Sequence, residues 1–173
     1  MAVLGLAASL AVGLVFATAA LAKLRHRDLL PGVVANYRLL PDPLVAPVAF
    51  LLPFAELAIG AGLLAGGQRP AVVAAAGMLW IFAGAMAINI VRGRSHIDCG
   101  CGRSQLRQPL SWLLVGRNLA LSLLVLPRAW SMPAMGAIEL ATAVAGGASL
   151  YLLVQLLNSI GALFSSPLSA TRR

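Results

Sequence analysis

Five stretches of this chain are each long and apolar enough to cross a bilayer as a helix: residues 2–22, 44–66, 70–91, 110–127 and 136–157. A spanning helix needs about 20 mostly apolar residues. In hydrocarbon only helices and closed barrels satisfy their own backbone hydrogen bonds. The first and third stretches carry no charge, the second holds one acid, Glu56, the fourth holds Arg117 and the fifth Glu139. Composition points the same way. Of 173 residues, 60% are hydrophobic and 10% charged, which leaves too little polar surface to coat a soluble domain. An ordinary cytosolic enzyme, a disordered chain and a secreted disulfide scaffold are all excluded. The expected fold is an all-α integral membrane protein, a compact bundle of five transmembrane helices forming a single membrane domain over 1–173.

The first span competes with a secretory signal, because Ala20-Leu21-Ala22 has the form of a cleavage site. No Lys or Arg precedes its apolar core, and Lys23, Arg25 and Arg27 follow it. That is the reverse of a signal peptide, so the span reads as retained. The net charge of +8 first raises nucleic acid as a partner. An apolar chain with basic connections is better read as one with the lipid bilayer as its partner and no nucleic acid. Side A denotes the face carrying the first and third connections and the C-terminus. It holds Lys23, Arg25, Arg27, Arg38, Arg92, Arg94, Arg103, Arg107, Arg172 and Arg173, against Arg69 and Arg128 on side B. The positive-inside rule then makes side A cytoplasmic.

Ionisable groups inside a membrane are costly and face the bundle interior. Glu56 lies about 18 Å and Arg117 about 10 Å from side A at the helical rise. Either the two form a structural pair, or Arg117 leans toward side A and stabilises a thiolate or a bound anion. Asn89 and Asn118 suit interhelical hydrogen bonds. The small-xxx-small spacing of Gly62 and Gly66 suits close helix packing. Trp80, Trp112 and Trp130 read as interface anchors or packing. Pro47 and Pro53 are expected to kink the second span.

The chain has two cysteines, Cys99 and Cys101, in the string His96-Ile97-Asp98-Cys99-Gly100-Cys101-Gly102 on the third connection, 92–109. None of the five spans contains a cysteine, so their adjacency points to a joint role. A Cys-x-Cys disulfide closes a very small ring, and strained disulfides are the oxidising, exchangeable ones. Arg92, Arg94, Arg103 and Arg107 surround the pair, and nearby cations favour the reactive thiolate. His96 can carry a proton near neutral pH, and Asp98 can orient it. Three readings stand: a redox-active thiol pair, metal binding with His96 or Asp98, or an inert loop. The metal reading lacks a second Cys or His pair at structural-zinc spacing.

Further stretches accompany this string: Ala22-Lys23-Leu24-Arg25-His26, Tyr37-Arg38-Leu39-Leu40-Pro41, Leu52-Pro53-Phe54-Ala55-Glu56-Leu57, Ser111-Trp112 and Arg117-Asn118. Together they resemble the MauE family of methylamine-utilisation membrane proteins, along most of the chain. The resemblance implies a multi-pass protein of the bacterial inner membrane. It implies a role in maturing the disulfide-rich small subunit of periplasmic methylamine dehydrogenase, by disulfide formation or thiol transfer beside a thioredoxin-like MauD-type partner. Cys99 and Cys101 would be the catalytic residues, with His96, Asp98, Arg117 and Glu56 handling the thiolate or the proton. The alternatives are a non-catalytic membrane scaffold or transporter for the maturing subunit, and a quinone-coupled thiol oxidase whose acceptor sits between helices near side A. A periplasmic client calls for cysteines outside, where disulfides persist, whereas the charge count places them inside.

Overall fold

The computed structural model describes residues 2–100, 109–130 and 136–164, with side chains through residue 161. Six α-helices account for most of them. They are α1 (Ala2–Arg25), α2 (Leu30–Asn36), α3 (Asp42–Leu64), α4 (Arg69–Val91), α5 (Trp112–Val125) and α6 (Ala137–Phe164). A 3₁₀ turn, Leu126–Ala129, prolongs α5 through Pro127. Five helical segments are long and apolar enough to cross a membrane: α1, α3, α4, α5 with its 3₁₀ turn, and α6. Among the described residues no strand forms, and an isolated bridge pairs Asp98 with Pro109.

Three of these bounds depart from the hydropathy pattern for identifiable reasons. α1 runs on to Arg25, so Lys23 lies in its last turn rather than in a connection. α6 continues past residue 157 to Phe164. The first connection, which Pro31 and Gly32 mark as a break, contains α2, with Pro31 in its first turn. Proline suits that position, because its missing N–H would be unpaired there in any case. α3 continues as helix through both Pro47 and Pro53.

α1 is the central helix and packs most extensively against α3 and α6, while α4 packs on α5. Backbone approaches explain why. A Cβ built on Gly13 would stand 3.2 Å from the carbonyl oxygen of Gly60, and one on Gly60 would stand 3.1 Å from that of Gly13. α1 and α3 therefore cross at two side-chain-free positions, which lets the backbones touch. Gly147 of α6 meets the Ala7 carbonyl of α1 at 2.9 Å in the same sense. Of the Gly62/Gly66 pair, Gly62 is a packing position, with its Cβ site 2.8 Å from Ala71 Cβ. Gly66 is not: it lies beyond the end of α3 at φ +112°, with open space where a Cβ would stand, and serves the turn.

One apolar cluster joins Val12 and Phe16 of α1, Leu63 of α3, Val72 and Leu79 of α4 and Leu121 of α5. Large apolar side chains such as Phe50, Ile81 and Ile138 point outward, as a lipid-facing surface requires. Trp80 joins them midway along α4 and faces out. It is a lipid-facing residue of the span, while Trp112 and Trp130 lie at the two ends of the α5 segment.

Side B is closed by two arginines that the charge count treats as loop residues. Arg128 is buried and its Nη2 donates to the Gly66 carbonyl at 3.0 Å. Arg69 Nε donates to the Ala129 carbonyl at 2.8 Å.

Candidate functional site

The other end of the bundle is hollow. A cavity of about 930 Å³ lies between the helices toward side A, within the size range of small-molecule sites. Val15, Phe16, Leu52, Met78, Phe82 and Met86 supply apolar wall, and its polar groups include Lys23, His26, Tyr37, Glu56, Arg117, Asn118 and Asn158. Cys99 and Gly100 line it as well.

Cys99 arrives there because the third connection folds inward. The Leu110 N–H donates to the Ser95 and Ile97 carbonyls at 2.9 and 3.3 Å, drawing the two ends of the connection together. Ile97 and Leu110 bury with Cys99 against Ala83 and Met86 of α4 and Leu114 and Val115 of α5. Cys99 is only 6% exposed. Three further contacts fix it. Tyr37 Oη donates to the Cys99 carbonyl at 3.1 Å. The Gly100 N–H donates to Asp98 Oδ1 at 3.2 Å. Gly100 holds φ +67°, and a Cβ there would stand 3.0 Å from Val33 Cγ1 of α2. Arg94 acts as a staple: Nη1 donates to Asn89 Oδ1 at 3.2 Å and Nη2 to the Asn36 carbonyl at 2.6 Å.

Two charged groups project into the cavity region from the spans, and each has its own partner. Glu56, 1% exposed, receives Lys23 Nζ on both carboxylate oxygens, at 2.8 and 2.9 Å. The same ammonium lies 5.9 Å from the Phe82 ring centroid. Among the described residues, Glu56 and Arg117 form no ion pair with each other. The partner came instead from α1, whose extra turn carries Lys23 inward. Arg117 donates from Nε and Nη2 to Asn118 Oδ1, at 3.4 and 3.1 Å, and from Nη1 to Asn158 Oδ1 of α6. Asn158 Nδ2 donates to Gln155 Oε1 at 3.3 Å, and Gln155 Nε2 to Tyr151 Oη at 2.9 Å, so a polar chain runs along α6 from Arg117.

Of the residues singled out from the sequence, Cys99, Glu56 and Arg117 therefore line one cavity. Asp98 is placed otherwise: its recorded bond shapes the turn at Gly100. His96 is exposed and does not line the cavity. The imidazole on the cavity wall is that of His26. Cys101, Arg103 and Arg107 lie outside the described residues. Among the described residues Asn89 makes no interhelical bond of the expected kind; it donates to the Ala85 carbonyl of its own helix and accepts from Arg94. Among the described residues no group of three His, Cys, Asp or Glu side chains is placed to hold a metal.

Sequence reasoning did not single out Lys23, His26, Tyr37 or Asn158 as site residues. A signal for the first three was present. They sit in the short strings after the first span, and those strings, with Glu56, Cys99 and Arg117-Asn118, converge on one cavity from five separate stretches of chain.

A protein-family model described as methylamine utilisation protein MauE matches residues 1–131. The chain is 47% identical over 158 residues to the methylamine utilization protein MauE of Paracoccus denitrificans, covering 87% of this chain and 85% of that one. It is 44% identical over 152 residues to its counterpart in Paracoccus versutus, covering 86% and 82%. To the MauE of Methylorubrum extorquens it is 43% identical over 145 residues, covering 82% and 78%. No solved structure matches the chain. Five bilayer-length helices and this similarity along most of the sequence make the chain a multi-pass membrane protein that belongs to the MauE family of methylamine utilisation proteins.

Proposed function

We propose that this protein carries out thiol–disulfide exchange during maturation of the methylamine dehydrogenase small subunit, through Cys99 and Cys101. It would work in the bacterial inner membrane beside a thioredoxin-like MauD-type partner. The chemistry is thiolate attack on a disulfide sulfur, a mixed disulfide, and resolution by the second thiol. One full exchange moves two electrons and two protons. The observation that carries the reading is the placement of Cys99. It lines a mostly apolar cavity that a cation, Arg117, also lines, and its backbone is pinned by Tyr37 and by the turn at Gly100. A packing cysteine needs neither the cavity nor the charge.

The burial of Cys99 favours one second reading. Buried structural cysteines are inert, and a non-catalytic scaffold for the maturing subunit would need Cys99 only as a small apolar wedge. The double variant Cys99→Ser, Cys101→Ser separates the two. Exchange chemistry predicts loss of mature small subunit with the membrane protein still present at normal levels. Full maturation in that variant discards the thiol reading and leaves the scaffold.

A further inference from the structure

The cavity has features that thiol exchange alone does not call for. Its walls are mostly apolar, yet Leu21 and Ile81, which line it, are also 58% and 67% exposed on the outer face of the bundle. In a bilayer those positions face acyl chains, so the cavity communicates with the lipid phase. Asn118 is 2% exposed and lines the cavity, and among the described residues its Nδ2 has no hydrogen-bond partner. A buried amide donor left without an acceptor is costly. Beside it, Arg117 directs its hydrogen bonds to neutral amide oxygens and, among the described residues, forms no ion pair. The pair of groups therefore offers a hydrogen bond and a positive field to an acceptor oxygen, in the cavity that Cys99 also lines. A ligand that fits is bilayer-borne, mostly apolar, uncharged in its main body, and tipped with a carbonyl.

We propose that this cavity binds a membrane quinone, with a ring carbonyl accepting from Asn118 Nδ2 and polarised by Arg117. Resting on the thiol reading above, the quinone is the terminal acceptor of the exchange. The Cys99–Cys101 dithiol loses two electrons and two protons and becomes a disulfide. The quinone takes both electrons and both protons and leaves as quinol into the lipid. The regenerated disulfide then oxidises the next client or partner dithiol.

Purified full-length protein in detergent, titrated with decyl-ubiquinone, tests the site. Saturable binding is expected. Asn118→Leu removes the donor, and Ala85→Trp fills the cavity from α4. Each should weaken binding by about tenfold or more, the scale of one lost buried hydrogen bond or of excluded volume. The second variant keeps the test decisive if the first folds poorly. Absence of saturable binding, or binding indifferent to both substitutions, overturns the site and leaves thiol exchange standing. A second arm mixes fully reduced protein anaerobically with decyl-ubiquinone. One quinol formed per two thiols lost is expected, and binding without quinol formation overturns the electron transfer. Full client maturation by the cysteine-free variant, with quinone binding intact, would instead sink the thiol reading and keep the binding site.

Discussion

The ion pair between Lys23 and Glu56 gives the sharpest test of how the site is held. Lys23 Nζ sits 2.8 Å from Glu56 Oε1, with side-chain exposures of 10% and 1%. Two charges so enclosed gain Coulomb energy but lose hydration, and the balance is near zero when both are removed together. Removing one is different, because it strands the other. Glu56→Gln leaves an ammonium facing a neutral amide inside the bundle, and Lys23→Met leaves a bare carboxylate. Each single substitution should cost about 3–5 kcal/mol, roughly two to three and a half orders of magnitude in the folding equilibrium. The double variant Lys23→Met, Glu56→Leu should recover most of that loss, because neither charge remains to be solvated by hydrocarbon. Unfolding in mixed micelles with rising dodecyl sulfate, followed by helical circular dichroism, supplies the four corners of the cycle. A single-variant cost below about 1 kcal/mol, or a double variant no more stable than the singles, refutes the claim that the pair is buried and mutually dependent. The double variant also separates architecture from chemistry. If the pair only joins α1 to α3, stability and small-subunit maturation return together. If the charges serve the site, stability returns and maturation does not.

Further outcomes follow from particular contacts. Gly100→Ala places a Cβ 3.0 Å from Val33 Cγ1 at a positive φ, so it should displace the Cys99 turn and lower small-subunit maturation while leaving helix content unchanged by circular dichroism. Tyr37→Phe removes one hydrogen bond to the Cys99 carbonyl and should cost about 1 kcal/mol in the same dodecyl sulfate titration. In a Cys101→Ser background, Cys99 should react with small membrane-permeant N-ethylmaleimide much faster than with a bulky impermeant maleimide, because its access is through the cavity; equal rates would contradict its burial. Gly13→Leu drives a side chain into the Gly60 carbonyl and should abolish stable folding, read as loss of protein from the membrane fraction.

Hydropathy carried the architecture into view because lipid imposes one requirement on every spanning residue, and the five segments satisfy it one at a time. Relations between segments are another matter. Lys23 and Glu56 are 33 positions apart in sequence, and their meeting depends on the register of α1 against α3. The Gly13–Gly60 crossing sets that register, and a hydropathy profile does not contain it. α2 escaped notice because Pro31 and Gly32 read as breakers, although proline in a first turn is a helix start. The polar third connection reads as a surface loop. Ile97 and Leu110, the apolar residues flanking its cysteines, were the signal that it turns inward, and they are what bury Cys99. His96 drew attention by its nearness to the cysteines along the chain. His26, 73 positions before Cys99, is the imidazole that shares the cavity with it.

The two ends of the bundle use their cations in opposite ways, and this bears on which face the thiols serve. At side B both Arg69 and Arg128 are spent on backbone carbonyls that close the helix ends. At side A, Lys23 and Arg94 are likewise engaged, by Glu56 and by Asn89 with Asn36. Arg25, Arg27 and Arg92 remain exposed around the hollow end. Discounting the engaged cations at each end therefore leaves the charge asymmetry standing, because side B loses both of its cations and side A does not. Orientation by charge would put the mouth of the Cys99 cavity toward the cytoplasm, opposite the periplasmic client of the proposed function. On the proposed quinone reading, the exposure of Leu21 and Ile81 beside the cavity would ease that conflict for the electrons, since a quinone would enter from the lipid and leave the same way whichever face the loop occupies. It would not ease it for the proposed client, whose thiols would have to meet Cys101 or a partner directly. Under the proposed function, the orientation of this one connection would decide whether a MauD-type partner docks on the same face as the cysteines.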